Sequence, residues 1–431
     1  MSILLIHGGR VISPANGLDG ELDILAEDGL VRSIAPRGTL GSPPHGAEAI
    51  DASGQIVCPG FIDLHVHFRE PGGEESETIE TGLAAAVAGG FTSVCPMPNT
   101  RPVNDNAALT RMMIDRARQS GLARLFPIAA ASIGSEGEEL TDFAALKAAG
   151  AAGFSDDGRP VKTANLMREA LKRARGLGMP VIDHCEEPGL SAGGVVNLGP
   201  VAAKLGVAGI PGAAEDVCIA RDLVLAAETG ARLHIAHLST ADGVEMVRTA
   251  KARGVSVTCE VTPHHFTLTE DAVEANGTSA KMNPPLRSDS DRQAILDGLA
   301  DGSIDAIATD HAPHSPRLKA QPLAAAPFGV TGLETALGLA ITQLVAPGRI
   351  SLARLIELLS VNPARILGLP LGRLSLGSAA DITVLNPDEE WTYHAAEGKS
   401  KSRNSPFEGW RLKGAVMATV VGGKAVYQRR G

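Results

Sequence analysis

Eight short apolar runs, most of them separated by helical stretches, constrain this 431-residue chain more than any other feature. The runs cover 61–66, 91–95, 125–131, 151–155, 181–185, 233–238, 255–261 and 304–309. Between most of them the apolar spacing changes to a helical period, over 78–88, 106–119, 143–149, 164–177, 213–228, 241–252 and 289–299. Three more helical stretches, 332–344, 352–359 and 362–367, follow the last run. A strand that returns through a helix lies parallel to its predecessor, so the alternation predicts βαβ units. Eight such strands in one continuous stretch fit an α/β fold of the (β/α)8 TIM-like barrel type better than an open sheet. Periodicity alone does not exclude a doubly wound sheet; the candidate ligand positions described below favour closure. Hydrophobic residues make up 44% but aromatics only 3%, so the interior must be built from Ala, Val, Ile and Leu.

Both ends read as short strands. Residues 2–7 and 11–13 flank Gly8-Gly9, 21–26 and 30–34 flank Asp28-Gly29, and 414–421 and 424–427 flank Gly422-Gly423. Each pair is a hairpin signal. Neither end is long enough for its own core. The expected organisation is therefore residues 58–368 as the barrel, with 1–57 and 369–431 pairing into one small β domain that brings the termini together.

The formal net charge is −10 and no basic stripe stands out, so nucleic acid is not an expected partner. Five widely spaced cysteines without a C-x-x-C pair argue for buried thiols in a reducing compartment. The first ten residues lack the basic region of a signal peptide, and no apolar run approaches 18 residues. The expectation is a soluble, cytoplasmic protein with no membrane partner.

The strongest local signal is Asp63-Leu64-His65-Val66-His67-Phe68-Arg69. On a strand, residues i and i+2 face the same way about 6.5 Å apart, so His65 and His67 can offer imidazoles to one metal, zinc being well suited. His184, His237 and Asp310 fall at the ends of the fifth, sixth and eighth runs, and Asp156-Asp157 at the end of the fourth. In a barrel these ends open onto one face, where active sites sit. His234 and His237 point to opposite faces, and His237 is nearer the strand end; His234 reads as buried behind it. Spacing does not choose between Asp156 and Asp157.

With these residues in view, the chain resembles the amidohydrolase superfamily and, over essentially its whole length, the class I dihydroorotases. The matching segments are 59–72 (PGFIDLHVHFREPG), 97–100 (MPNT), 154–158 (FSDDG), 183–187 (DHCEE), 259–265 (CEVTPHH), 281–287 (KMNPPLR), 309–314 (TDHAPH) and 328–335 (FGVTGLET). The resemblance implies a zinc enzyme, with one or two ions per chain, that reversibly hydrolyses L-dihydroorotate to N-carbamoyl-L-aspartate in pyrimidine biosynthesis. His65, His67 and Asp310 match ligands of a first metal, and His184 and His237 those of a second. Asp157 matches the carboxylate reaching the metals from the fourth strand. Asp310 is also the implied catalytic base. His67, Arg69, Asn99 and His314 match substrate-binding groups, Asn283 a residue contacting the ring amides, and Phe328 and Gly329 a segment giving backbone contacts. Hydantoinases and allantoinases often carry a carboxylated lysine where this chain has Asp157, which speaks against that alternative. A catalytically silent scaffold for aspartate transcarbamoylase is the other alternative; the retained ligand set speaks against it. Association with that transferase, and a homodimer, stay open.

Residues 312–327 contain four prolines and no helical period, and are expected to form a lid that closes over substrate. His264 and His265 are expected to pack in the core, and His311 to point away from Asp310. Glu186 and Glu187 are expected to form a helix-entry or surface pair, and His7, His45 and His394 to be solvated.

Overall fold

The computed structural model describes residues 2–41 and 46–429. His45 therefore lies outside the described residues. At the centre stands a parallel ring. One arc pairs Phe61–Val66 with Phe91–Pro96 and the latter with Arg124–Leu125. A second arc runs Ile128–Ala129, Gly153–Phe154, Val181–Asp183, Leu233–Ile235, Val257–Val261 and Ala306–Ile307. The third expected strand is thus split, because Pro127 has no N–H to give the ladder. The ring shuts where the His67 amide donates to the His311 carbonyl at 2.8 Å, and Val66 bridges His311 in parallel. The fold is therefore a (β/α)8 barrel.

The flanking helices begin where the sequence supplies a cap. Side-chain oxygens of Thr78, Asn106, Asp142, Thr163, Thr240 and Ser288 accept a free backbone N–H at the start of their helices. Inside the ring Leu64, Ile128, Ile182, Ala236, Ala306 and Ala308 pack as one cluster. Burying a side chain such as Leu64 contributes roughly 1.5–3 kcal/mol, and the alanines let opposite strands approach. Two excursions have no counterpart in the periodicity reading. Pro188–Ser191, the paired strands Val196–Asn197 and Gly209–Ile210, and Pro200–Leu205 lie between the fifth strand and its helix. Pro263–Thr267 and Ala272–Asn276 follow the seventh strand.

The two ends form one nine-stranded sheet, joined where Ile382–Leu385 pairs with Ile56–Pro59. Asp28-Gly29 and Gly422-Gly423 close hairpins, with positive φ at both residues of each turn. Gly8-Gly9 does not. Ile3–His7 and Arg10–Ser13 lie end to end along the ten-residue strand Leu18–Glu27, which pairs with both. The glycines are needed there because a Cβ on Gly9 would come within 2.9 Å of Val57 and Ala52 side-chain carbons. A single long partner strand overrides the local turn signal.

The sheet docks on the barrel at Gly90, whose Cβ would meet Thr383 at 2.9 Å and the Phe61 ring at 3.0 Å. The Thr383 hydroxyl donates to the Gly90 carbonyl, and Arg124 pairs bidentately with Asp381 at 2.7 and 3.1 Å. All five cysteines are buried and free. Among the described residues no helix is long and apolar enough to cross a membrane.

Candidate active site

The C-terminal ends of the strands bring the candidate residues to one mouth. Every one of them except His65 lines a single cavity of about 210 Å³, and His65 is fully buried beneath it. Asp157 sits at the middle. Its Oδ1 lies 3.2 Å from His65 Nε2, 3.7 Å from His184 Nδ1 and 4.0 Å from His237 Nε2, while its Oδ2 lies 3.7 Å from His67 Nε2. Asp156 turns away from this cluster and accepts from the amide and hydroxyl of Ser132. Asp310 Oδ1 stands 3.0 Å from His67 Nε2 and 3.7 Å from His65 Nε2.

The outer nitrogens of the two motif histidines are occupied. His67 Nδ1–H donates to Asn99 Oδ1 at 2.9 Å, and the Asn99 amide donates to Asp157 Oδ2 at 3.1 Å. His65 Nδ1–H donates to Glu260 Oε1 at 3.2 Å; Glu260 Oε2 accepts from His234 Nε2–H at 3.1 Å. Both rings therefore aim Nε2 into the cluster. Burial works against charge at His65, yet Asp157, Glu260 and Asp310 outweigh it and raise its pKa. Burial works against charge at Glu260 too, but His234 and His65 hold the carboxyl down at about 2.

Glu260 was missed in the sequence. Its signal was a carboxylate inside an apolar strand, Cys259-Glu260-Val261. Glu186 corrects an expectation: it is no surface group. Its Oε2 lies 3.1 Å from His184 Nε2 and accepts from Asn283 Nδ2 at 2.6 Å, and Ser191 donates to its other oxygen. Glu187 does enter a helix, accepting from the Gly189 amide. His311 points away from Asp310, toward Glu77 at 3.4 Å. His264 and His265 are buried, the latter fixed between Thr262 and the Pro284 carbonyl. His7 lies beside Asp51 and His394 beside Glu408, both part-exposed.

The other side of the cavity is built from loops. The Arg69 guanidinium donates to the Pro313 carbonyl at 3.2 Å and lies 3.3 Å from His314 Nε2. No carboxylate pairs with it among the described residues, and burial lowers its pKa to about 10. His314 Nε2–H donates to the Phe328 carbonyl at 2.7 Å; burial, then Arg69, push the pKa of this imidazole down to about 2 and keep it neutral. A wider vestibule of about 600 Å³ shares Arg69, Asn99 and His314 with the inner cavity and leads out past Arg101. The 312–327 stretch, expected to act as a lid, has local order of its own. It contains a helical turn, Pro316–Lys319, and is tied to its surroundings by buried lysines.

Backbone strain marks the same place. Five described non-glycine residues have positive φ, and three are Arg69 (+61°), His237 (+32°) and Asp310 (+46°). Such conformations cost about 1–3 kcal/mol each and persist where the surroundings over-determine them.

A metal ion fits this donor set. His65 Nε2 and His237 Nδ1 are buried without a hydrogen-bond partner. The sets His65/His67/Asp310 and His65/Asp157/His237 each bring their ligand atoms within 4.8 Å of one another.

Known proteins give a consistent picture. The family model for "Dihydro-orotase-like" proteins matches residues 54–243. The chain is 52% identical to a dihydroorotase of Geobacter sp. (strain M21), over 99% of both chains. It is 50% identical to a dihydroorotase of Solibacter usitatus (strain Ellin6076), over 99% of this chain and 98% of that one. Among solved structures, the L-hydantoinase (dihydropyrimidinase) from Arthrobacter aurescens superposes with a TM-score of 0.87 at 28% identity, covering 99% of this chain and 96% of that one.

Proposed function

The chain belongs to the dihydroorotase family, and from that premise we propose that its barrel mouth opens the ring of L-dihydroorotate to N-carbamoyl-L-aspartate, reversibly, as a step of pyrimidine biosynthesis. It is a hydrolase acting on cyclic amides. The observation that carries the substrate is the unpaired Arg69 guanidinium in the same cavity as the imidazole–carboxylate cluster. A ring bearing a carboxylate supplies Arg69 with its missing partner; an uncharged ureide leaves it desolvated and alone.

We assign zinc, one or two ions per chain, to His65, His67, Asp157, His184, His237 and Asp310. When bound, such an ion polarises the ring carbonyl and makes water acidic enough to attack near neutral pH. Asp310, 3.0 Å from His67 Nε2, takes the proton of the attacking water on a carboxylate oxygen and passes it to the departing ring nitrogen. Arg69, Asn99 and His314 hold the substrate carboxylate, and so orient the scissile amide toward Asp310. Asn283 and the Phe328–Gly329 backbone face the ring. Residues 58–368 are the catalytic unit, and 1–57 with 369–431 support it. Asn404, from the supporting part, donates to the carbonyls of Ala312 and Gly329 beside the site. The free, buried thiols support a cytoplasmic setting. Association with aspartate transcarbamoylase, and with a second copy, belongs to the same reading.

The likeness to the L-hydantoinase fold favours one second reading, a hydantoinase. Asp157 at the centre of the cluster and the unpaired Arg69 oppose it. The deciding experiment is turnover by zinc-supplemented protein of L-dihydroorotate, hydantoin and allantoin side by side. Opening of dihydroorotate alone is expected. Faster opening of hydantoin would replace the proposal, and absence of bound zinc with no turnover would indicate a scaffold.

A further inference from the structure

Behind the loop-built side of the cavity lie two buried lysines that no carboxylate neutralises among the described residues. Lys281 is 2% exposed and Lys319 7%. Lys281 Nζ donates to the carbonyls of Ala326 (2.6 Å), Leu323 (2.7 Å) and Ala324 (3.3 Å). Lys319 Nζ donates to those of Gly329 (2.9 Å), Pro327 (3.0 Å) and Lys281 (3.4 Å). Each ammonium thus spends all three protons on backbone. Burying such a charge without a counter-charge is costly, and apolar side chains would fill the space more cheaply.

The contacts are directed at the site. Two of the three carbonyls held by Lys319, at Pro327 and Gly329, flank Phe328, whose own carbonyl receives His314 Nε2–H. The Gly329 amide donates back to the Lys281 carbonyl at 2.9 Å, and Lys281 Nζ sits 4.4 Å over the Phe328 ring. Gly329 has φ +130°, and a Cβ there would lie 2.6 Å from the Ala312 Cβ, so this backbone packs against the strand end that follows Asp310.

Resting on the reading that the substrate is an anionic ring, we propose that Lys281 and Lys319 are positioning residues. They gather the 323–329 backbone so that Phe328 and Gly329 stand against His314, and their unneutralised charge favours a carboxylate on that side of the cavity. The titratable groups that act on Lys319 are Lys281, Arg69 and His314. Burial, Lys281 and Arg69 push its pKa down to about 7. A bound carboxylate favours the protonated form, so affinity for the anion is highest below that pH and falls as the proton is lost above it.

The test compares full-length, zinc-loaded wild type with Lys281→Met, Lys319→Met and Lys319→Arg. KM for L-dihydroorotate is expected to rise about tenfold in each Met variant with kcat within about threefold, and Lys319→Arg to recover most of the affinity. In the wild type KM rises between about pH 6 and about pH 8.5, and Lys319→Met abolishes that rise. Elastase, which cuts after small residues, cleaves at 324–326 faster in the Met variants. Unchanged KM and unchanged cleavage in both Met variants would overturn the proposal. Should those variants fail to fold, a wild-type KM that is flat across the same pH range would do so. Cleavage needs no turnover: faster cleavage in a chain that opens no dihydroorotate would retire the substrate reading and leave the bracing of 323–329 standing.

Discussion

The two sides of the barrel mouth are built on different principles. One is a wall of imidazoles and carboxylates gathered at strand ends, three of whose imidazoles have a further polar side chain beside them: Asn99 behind His67, Glu260 behind His65, Glu186 beside His184. The other is a wall of backbone, in which Arg69, His314 and the two lysines spend their protons on carbonyls of 313 and 323–329. Side chains on strands are held to the tolerance of the barrel itself, which a metal cluster requires. Loop backbone braced by cations can shape itself to a particular ring. Chemistry and recognition are thereby separable, and the difference can be tested one wall at a time.

The largest effect is expected on the first wall. Asp310→Asn removes the proton acceptor while preserving the shape, and kcat should fall about a thousandfold, within the usual range for losing a general base. Thermal unfolding followed by circular dichroism should stay close to wild type. A kcat within tenfold of wild type would take the proton-transfer role away from Asp310 and blur the division between the walls.

That asymmetry also governs what was legible beforehand. The first wall could be read because histidine and aspartate at strand ends are conspicuous against apolar runs, and the βα alternation says which ends meet. Its supports were harder. Glu260 lies inside a strand, and Glu186 reads as half of a surface pair, although Asn283 and Ser191 enclose it in the fold. On the second wall, Arg69 and His314 carried a signal only through the motif resemblance. Lys281 stands in the matched segment 281–287 but has no role there, and Lys319 carries no signal, since their partners are carbonyls and every residue has one. The positive φ of Arg69, His237 and Asp310 is likewise invisible in a string of non-glycine residues. Gly8-Gly9 shows the converse, a strong local turn signal defeated by pairing with one long strand.

Next in size comes the second wall. Arg69→Met keeps the side chain's length and removes its charge. Hydrogen bonds to a charged group are worth about 1.5–3 kcal/mol, which corresponds to a rise in KM of roughly ten- to a hundredfold. Zinc content by elemental analysis should not change, because the polar contacts of Arg69 are with Pro313 and His314, which are not among the proposed ligands. Loss of zinc together with loss of affinity would mean that the two walls are one structure.

The smallest effect lies behind the cluster. Glu260→Gln keeps shape and one acceptor oxygen, so the amide can still receive one of the two imidazole N–H groups that Glu260 receives now, from His65 and His234. Removing a group that orients a ligand typically costs ten- to a hundredfold in metal affinity, and the retained acceptor argues for the lower end, about tenfold. Competition with a chelator would measure it. At saturating zinc kcat should return close to wild type, since Glu260 reaches the cluster only through His65. If affinity is untouched, His65 is oriented by strand packing alone, and the difference between a side-chain-backed wall and a backbone-built one loses its physical basis.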